Sequence, residues 1–227
     1  MLHPHARVDG LFPQRLGSWS RGQTAGLVCL QFLPTSSDRG FVRGFKMQFS
    51  PPGGAAAPVR RGAVGGAIPW GAGHHAAYAA RFDHVVGLTI CIEDLPEPDN
   101  RIELSERLID RDGAPAPRMI YRLSAMSRRS LDFAIARAEE ALRRAGATEI
   151  AVDPLKAQAG FHLMGAARMG TDPETSVVDP FGRCHDVPNL FVADASTFVT
   201  ASAMNPTATA QALALRTADH IVHTRRT

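Results

Sequence analysis

One stretch constrains this chain more than any other. Between residues 127 and 146, Leu131, Ala134, Ile135, Ala138, Ala141, Leu142 and Ala145 recur three and four apart, with the charges mostly elsewhere. That spacing makes one apolar stripe along a helix, and the stripe must be buried against another element. Ser127 stands where an N-cap belongs and Gly146 where a C-terminal glycine belongs. The partner is β-structure. Residues 1–50 alternate apolar and polar positions between Gly and Pro, and residues 85–93 (VVGLTICIE) form a β-prone run. The predicted class is therefore α+β, a mixed and largely antiparallel sheet covered by helices.

Residues 51–75 are dense in Gly, Ala and Pro and read as an irregular loop. Residues 94–100 (DLPEPDN) read as a turn-rich connector. Residues 189–194 (NLFVAD) read as a buried strand ending in an acid. A last helix follows: Asn205 at the cap, Pro206 at the first helical position, and Leu213, Leu215, Ile221 and Val222 for apolar weight.

Composition narrows the class of function. A chain of 227 residues, 44% hydrophobic, is long enough for a proper core. The net charge is only +3 and the arginines are scattered, with no basic stripe interleaved with aromatics, which argues against nucleic acid as a partner. Cys29, Cys91 and Cys184 are far apart and form no CxxC pair, so neither a zinc ribbon nor a disulfide framework is expected; a reduced, cytoplasmic setting is. No apolar run approaches the ~20 residues of a membrane span.

Three places could carry chemistry. Asp194, followed by Ala195 and Ser196, would end its strand where α/β folds often meet a ligand; its plainer role is a turn acid satisfying nearby amides. Asn205-Pro206-Thr207 opens a helix whose first amides lack internal partners and favour an anion; the plainer role is a simple cap. His162 lies among small residues (FHLMGAARMG), where a neutral imidazole could accept an alcohol proton; the plainer role is a packed or surface histidine. His3 and His5 would share a strand face. No HExxH or companion carboxylate cluster supports a metal site or a metal-dependent hydrolase.

Taken in order, these pieces make a series: His162-x-x-Gly165-x-x-Arg168-Met169-Gly170, then residues 176–180 (SVVDP), residues 187–192 (VPNLFV), Asp194-Ala195-Ser196 and Asn205-Pro206-Thr207. The series resembles the carboxy-terminal signature of the glucose–methanol–choline (GMC) oxidoreductases. Upstream, Glu93-Asp94-Leu95-Pro96 with Pro98-Asp99-Asn100-Arg101 is similar to the gluconate and sugar dehydrogenase branch. The resemblance implies an FAD-dependent oxidation of an alcohol or sugar CH–OH group. It assigns His162 as the catalytic base and Asn205 as the second active-site residue, which holds the substrate oxygen. It sets Asp194 and Ala195 near the ribityl and phosphate chain of FAD, and Asn205, Pro206 and Thr207 at the helix start beside the pyrimidine end of the flavin.

The same resemblance divides the chain into a substrate-binding region, residues 1–185 with a flexible loop at 61–83, and a final strand and helix of a Rossmann-like FAD domain at 186–227. Two departures stand out. Ala166 occupies a position the family often fills with Thr. No GxGxxG turn occurs, and residues 1–8 resemble the middle of a family chain. The amino-terminal dinucleotide-binding half is therefore expected to be missing, as in a gene fragment, a misplaced start, or a split enzyme whose other half is a separate chain. A non-catalytic remnant that docks on such a partner is the alternative expectation. Alone, the chain is expected not to hold FAD tightly.

Overall fold

The structure is a computed structural model that describes residues 1–17, 27–50, 68, 71–156 and 161–224. Its strands are β1 (His5–Leu11), β2 (Val28–Cys29), β3 (Phe45–Ser50), β4 (Val85–Ile92), β5 (Arg101–Ile109), β6 (Pro115–Ile120) and β7 (Glu149–Asp153). Its helices are α1 (His74–Arg81), α2 (Ala125–Arg144) and α3 (Thr207–Thr224). Contacts sort the chain into two units. One comprises Met1–Pro4, Glu93–Arg128 and Gly160–Thr227; the other comprises His5–Ile92 and Arg129–Ala159.

The second unit is a five-stranded sheet in the order β2-β3-β4-β1-β7, and every pairing in it is antiparallel. The period-two pattern sets its faces. Ala6, Val8 and Gly10 lie opposite Ile90, Leu88 and Val86 on one face. That face receives α2, whose Leu131, Ala134, Ile135, Ala138 and Leu142 are buried. A Cβ on Gly10 would stand 2.9 Å from Ala147 Cβ, so glycine here lets the end of the helix approach the sheet. Phe133 sets its ring edge-on to those of Phe41 and Phe45, at 5.5 and 6.1 Å. On the other face Arg7 pairs with Asp9 at 2.7 Å and donates to Thr89 Oγ1. Gly87 makes room for that pair, since a Cβ there would lie 2.1 Å from Arg7 Nη2. Cys91, two residues past Thr89 on β4, is buried, and burial pushes its thiol up to about 12.

Three expectations shift here. The helix predicted at 127–146 runs from Ala125 to Arg144, and Ser124 rather than Ser127 caps it, accepting from Ser127 N at 3.1 Å. Gly146 does end it: with φ 99°, its N–H donates to Arg143 O while Ala147 N–H reaches Leu142 O, the Schellman pairing. Within the expected loop at 61–83, residues 74–81 are helical, as the alanine-rich HHAAYAAR sequence favours. Residues 61–67, 69 and 70 lie outside the described residues, as do most of 51–75.

The first unit is built on the β5–β6 hairpin and on the long segment from Phe161 to Thr224. Isolated bridges hold this segment, among them Met169–Val178, Val178–Cys184 and Arg183–Phe191. The strand predicted at 189–194 is reduced to that last bridge, and Asn189 and Leu190 are exposed. A ladder needs a continuous neighbour, and among the described residues the only strand-like neighbour is the short turn at Gly182–Cys184. Residues on both sides of position 185 lie in the same compact unit. Gly165, Ala167 and Met169 donate backbone hydrogen bonds to Ala195, Ser196 and Thr197, tying the two sides of it together.

Candidate functional site

The site is assembled within this first unit by backbone pairing. Residues 165–169 run alongside the 3₁₀ turn Ala195–Thr197, at N···O distances of 3.2, 2.9 and 2.9 Å. The backbone turns at Gly165, with φ 81°, where a Cβ would meet Phe198 O at 3.1 Å. Met164, two residues past His162, is buried with Phe198 and Ala201, and Ala195, Ala210 and Leu213 pack against them. Ala210 and Leu213 belong to the first turns of α3, so one apolar cluster joins the His162 loop, the Asp194 turn and the start of the last helix.

Further along, Gly182 presses against α3. A Cβ there would lie 2.6 Å from Val192 O and 3.0 Å from Thr217 Oγ1. His220 stacks on Phe181 at 4.2 Å, and Arg216 donates to Pro180 O. The helix is thereby fixed along its length. It starts at Thr207, one residue later than predicted, with Pro206 O accepting from Ala210 N at 2.9 Å. Asn205 and Thr207 are exposed at this start.

A cavity of about 590 Å³ opens beside the Asp194 turn. That size suits a small-molecule ligand. Gly165, Ala166, Asp194, Ala195 and Ser196 form one wall, with Leu2, Ile102, Met119 and Tyr121 among the others. Of the residues singled out in the sequence, Asp194 and Ala195 line it; His162, Asn205, Pro206 and Thr207 do not. Asp194 Oδ1 accepts from Ser196 N at 2.8 Å and its carbonyl accepts from Thr197 Oγ1 at 3.0 Å. It is thus a turn acid and a cavity acid at once.

Two residues matter more than sequence reasoning allowed. Asp94 is almost fully buried, and its carboxylate accepts from Ser127 Oγ at 3.0 Å, Tyr121 OH at 3.1 Å and Leu2 N at 3.4 Å. Burial raises its pKa, against the pull of those hydrogen bonds, and burial beside this acid raises the Tyr121 phenol as well. Asp94 therefore anchors two residues of the cavity wall. Its signal in the sequence was the Glu93-Asp94-Leu95-Pro96 run. The other residue is His3, which is fully buried and brings Nδ1 within 2.8 Å of His162 Nδ1. It bridges to Phe161 just ahead of the strand, which begins only at His5.

Comparison with known proteins supplies the family. The family model described as GMC oxidoreductase matches residues 96–214. The chain belongs to the GMC oxidoreductases. It corresponds to their carboxy-terminal part, and FAD is the cofactor of this GMC family. It is 37% identical over 198 residues to 2-methyl-1,2-propanediol dehydrogenase of Mycolicibacterium austroafricanum, covering 87% of this chain and 36% of that protein. It is 36% identical to the fructose dehydrogenase large subunit of Gluconobacter japonicus, covering 63% of this chain and 26% of that one. Among solved structures, pyridoxine 4-oxidase from Mesorbium loti superposes with a TM-score of 0.59 at 18% identity, over 98% of this chain and 43% of that one. The chain thus spans well under half the length of these relatives, and the antiparallel α/β fold is that of the GMC carboxy-terminal region.

The residues present fit one end of FAD. Small side chains at Gly165, Ala166 and Ala195 leave backbone accessible in the cavity wall, and the opening amides of a helix such as α3 favour an electron-rich ring edge. A carboxylate at Asp194 suits hydroxyl groups and repels a pyrophosphate. The sequence has no GxGxxG turn to cradle that group. No helix among the described residues is long and apolar enough to cross a membrane.

Proposed function

We propose that this chain forms the substrate side, and the last flavin-facing helix, of an FAD-dependent enzyme that oxidises the CH–OH group of an alcohol or sugar. The observation that carries the reading is the shared cluster of Met164, Phe198, Ala201, Ala210 and Leu213, which gathers the His162 loop, the Asp194 turn and the start of α3. Relatives named for a diol and for fructose support the substrate class.

When bound, FAD supplies a hydride acceptor. The chain's own residues do the rest. His162 takes the hydroxyl proton at Nε2, its Nδ1 being engaged with His3. Asn205 donates a hydrogen bond to the substrate oxygen. Asp194 and Ala195 would hold the ribityl chain of FAD, and the amides that open α3 after Asn205, Pro206 and Thr207 oppose negative charge on the ring. A separate polypeptide supplying a GxGxxG half would complete the pyrophosphate site.

The test is reconstitution with FAD, with and without such a half, followed by anaerobic addition of small diols and sugars. Loss of the oxidised flavin band with one of these classes, only when both halves are present, is the expected result. A flavin that stays oxidised with every alcohol and sugar tried would refute the reading.

A further inference from the structure

We propose that His3 is a positioning residue for His162: it accepts a hydrogen bond from His162 Nδ1–H and so leaves His162 Nε2 as the basic nitrogen. The proposal rests on the base role argued above and extends it to a residue outside the motif series.

The geometry is specific. The two Nδ1 atoms are 2.8 Å apart, with the rings at 74° and their centroids 4.8 Å apart. The backbone enforces this approach from both sides. His3 N donates to Phe161 O at 3.1 Å in an antiparallel bridge, and Met164 N donates to Met1 O at 3.0 Å. Between those bonds His162 adopts φ 58°, a left-handed conformation that a side chain rarely takes. Such a residue persists only when its surroundings hold it.

A contact between two imidazole Nδ1 atoms accommodates one proton. If His3 were the donor, His162 would carry its own proton on Nε2 and could gain another only at Nδ1, from His3. If His162 is the donor, Nε2 keeps its lone pair. It can then take a proton from an alcohol while Nδ1–H stays on His3. Only the second arrangement lets His162 become an imidazolium without breaking the 2.8 Å contact. Full burial of His3 disfavours charge there, so the positive charge forms on His162 rather than on His3. No proton passes to His3 in this scheme; it fixes the tautomer and steadies the cation.

Long-range ¹H–¹⁵N correlation spectra of the histidine-labelled chain read the tautomers directly, without flavin or substrate. The expected result is His162 protonated at Nδ1 and bare at Nε2, with His3 the reverse. His3→Phe should release that preference, whereas His3→Asn, whose amide oxygen can still accept, should keep it. In the chain reconstituted with FAD and a GxGxxG half, His3→Phe should slow flavin reduction about 10–100-fold, less than the ~10²–10⁴-fold for loss of the base itself, with substrate affinity little changed. His3→Asn should restore most of the rate.

A His162 proton found on Nε2 overturns the proposal, as does a His3→Phe variant with unaltered tautomer. If His3→Phe fails to fold, the wild-type spectrum decides alone. The expected tautomer together with a His162→Ala variant that reduces flavin normally would support the hydrogen bond and sink the base role, so the two failures are distinguishable.

Discussion

Asp94 shows what a single buried acid costs and what it returns. Burial lifts its folded pKa above the ordinary carboxyl value of 3.8, while the donors Ser127, Leu2 and Tyr121 only partly offset the rise. Between the unfolded and folded values the native state holds the extra proton. Stability contributed by this group therefore falls as pH climbs through that window and stays low above it. Unfolding curves taken from mildly acidic to neutral pH should show this decline in the wild type and a flatter profile in Asp94→Asn. Equal slopes would remove Asp94 from the pH dependence. At the same scale, His3 was the least legible residue in the sequence. Its role depends on a bridge to Phe161, far along the chain, and no local spacing announces such a pairing. The sequence singles out His162 through Gly165, Arg168, Met169 and Gly170, but nothing in that run announces its left-handed backbone.

Among the elements, α2 tests how far pattern reading goes. Its apolar stripe held at Leu131, Ala134, Ile135, Ala138 and Leu142, which are buried as the spacing predicts, whereas Ala141 and Ala145, towards the end of the helix, are exposed. Its start was misread, because two serines stand three apart and either can cap. Asp94, distant in sequence, takes the Ser127 hydroxyl and leaves the cap to Ser124. Ser124→Ala should cost about 1 kcal/mol and Gly146→Ala, at φ 99°, about as much or more. Each would lower the melting temperature by ~2–4 °C in a chain of this size. Thermal melts that match the wild type would contradict the capping assignments. The run at 189–194 failed for a different reason. Apolar residues marked it as extended, but a strand is a property of two segments, and among the described residues only the turn at Gly182–Cys184 lies beside it.

For the molecule as a whole, family membership was legible because the signature's spacing is a spacing of contacts. Gly165, Ala195 and Gly182 are small where backbone meets backbone. The division into units was not legible, since each unit is assembled from separated stretches of chain. In the proposed reaction the loop beside α3 presents a base to an alcohol. The decisive measurement is single-turnover flavin reduction in the chain reconstituted with FAD and a GxGxxG half, comparing wild type with His162→Ala and with His162→Asn, whose side chain tolerates the left-handed backbone. Both variants are expected to slow reduction ~10²–10⁴-fold while substrate binding changes little. Reduction at the wild-type rate in a folded His162→Asn protein would contradict it.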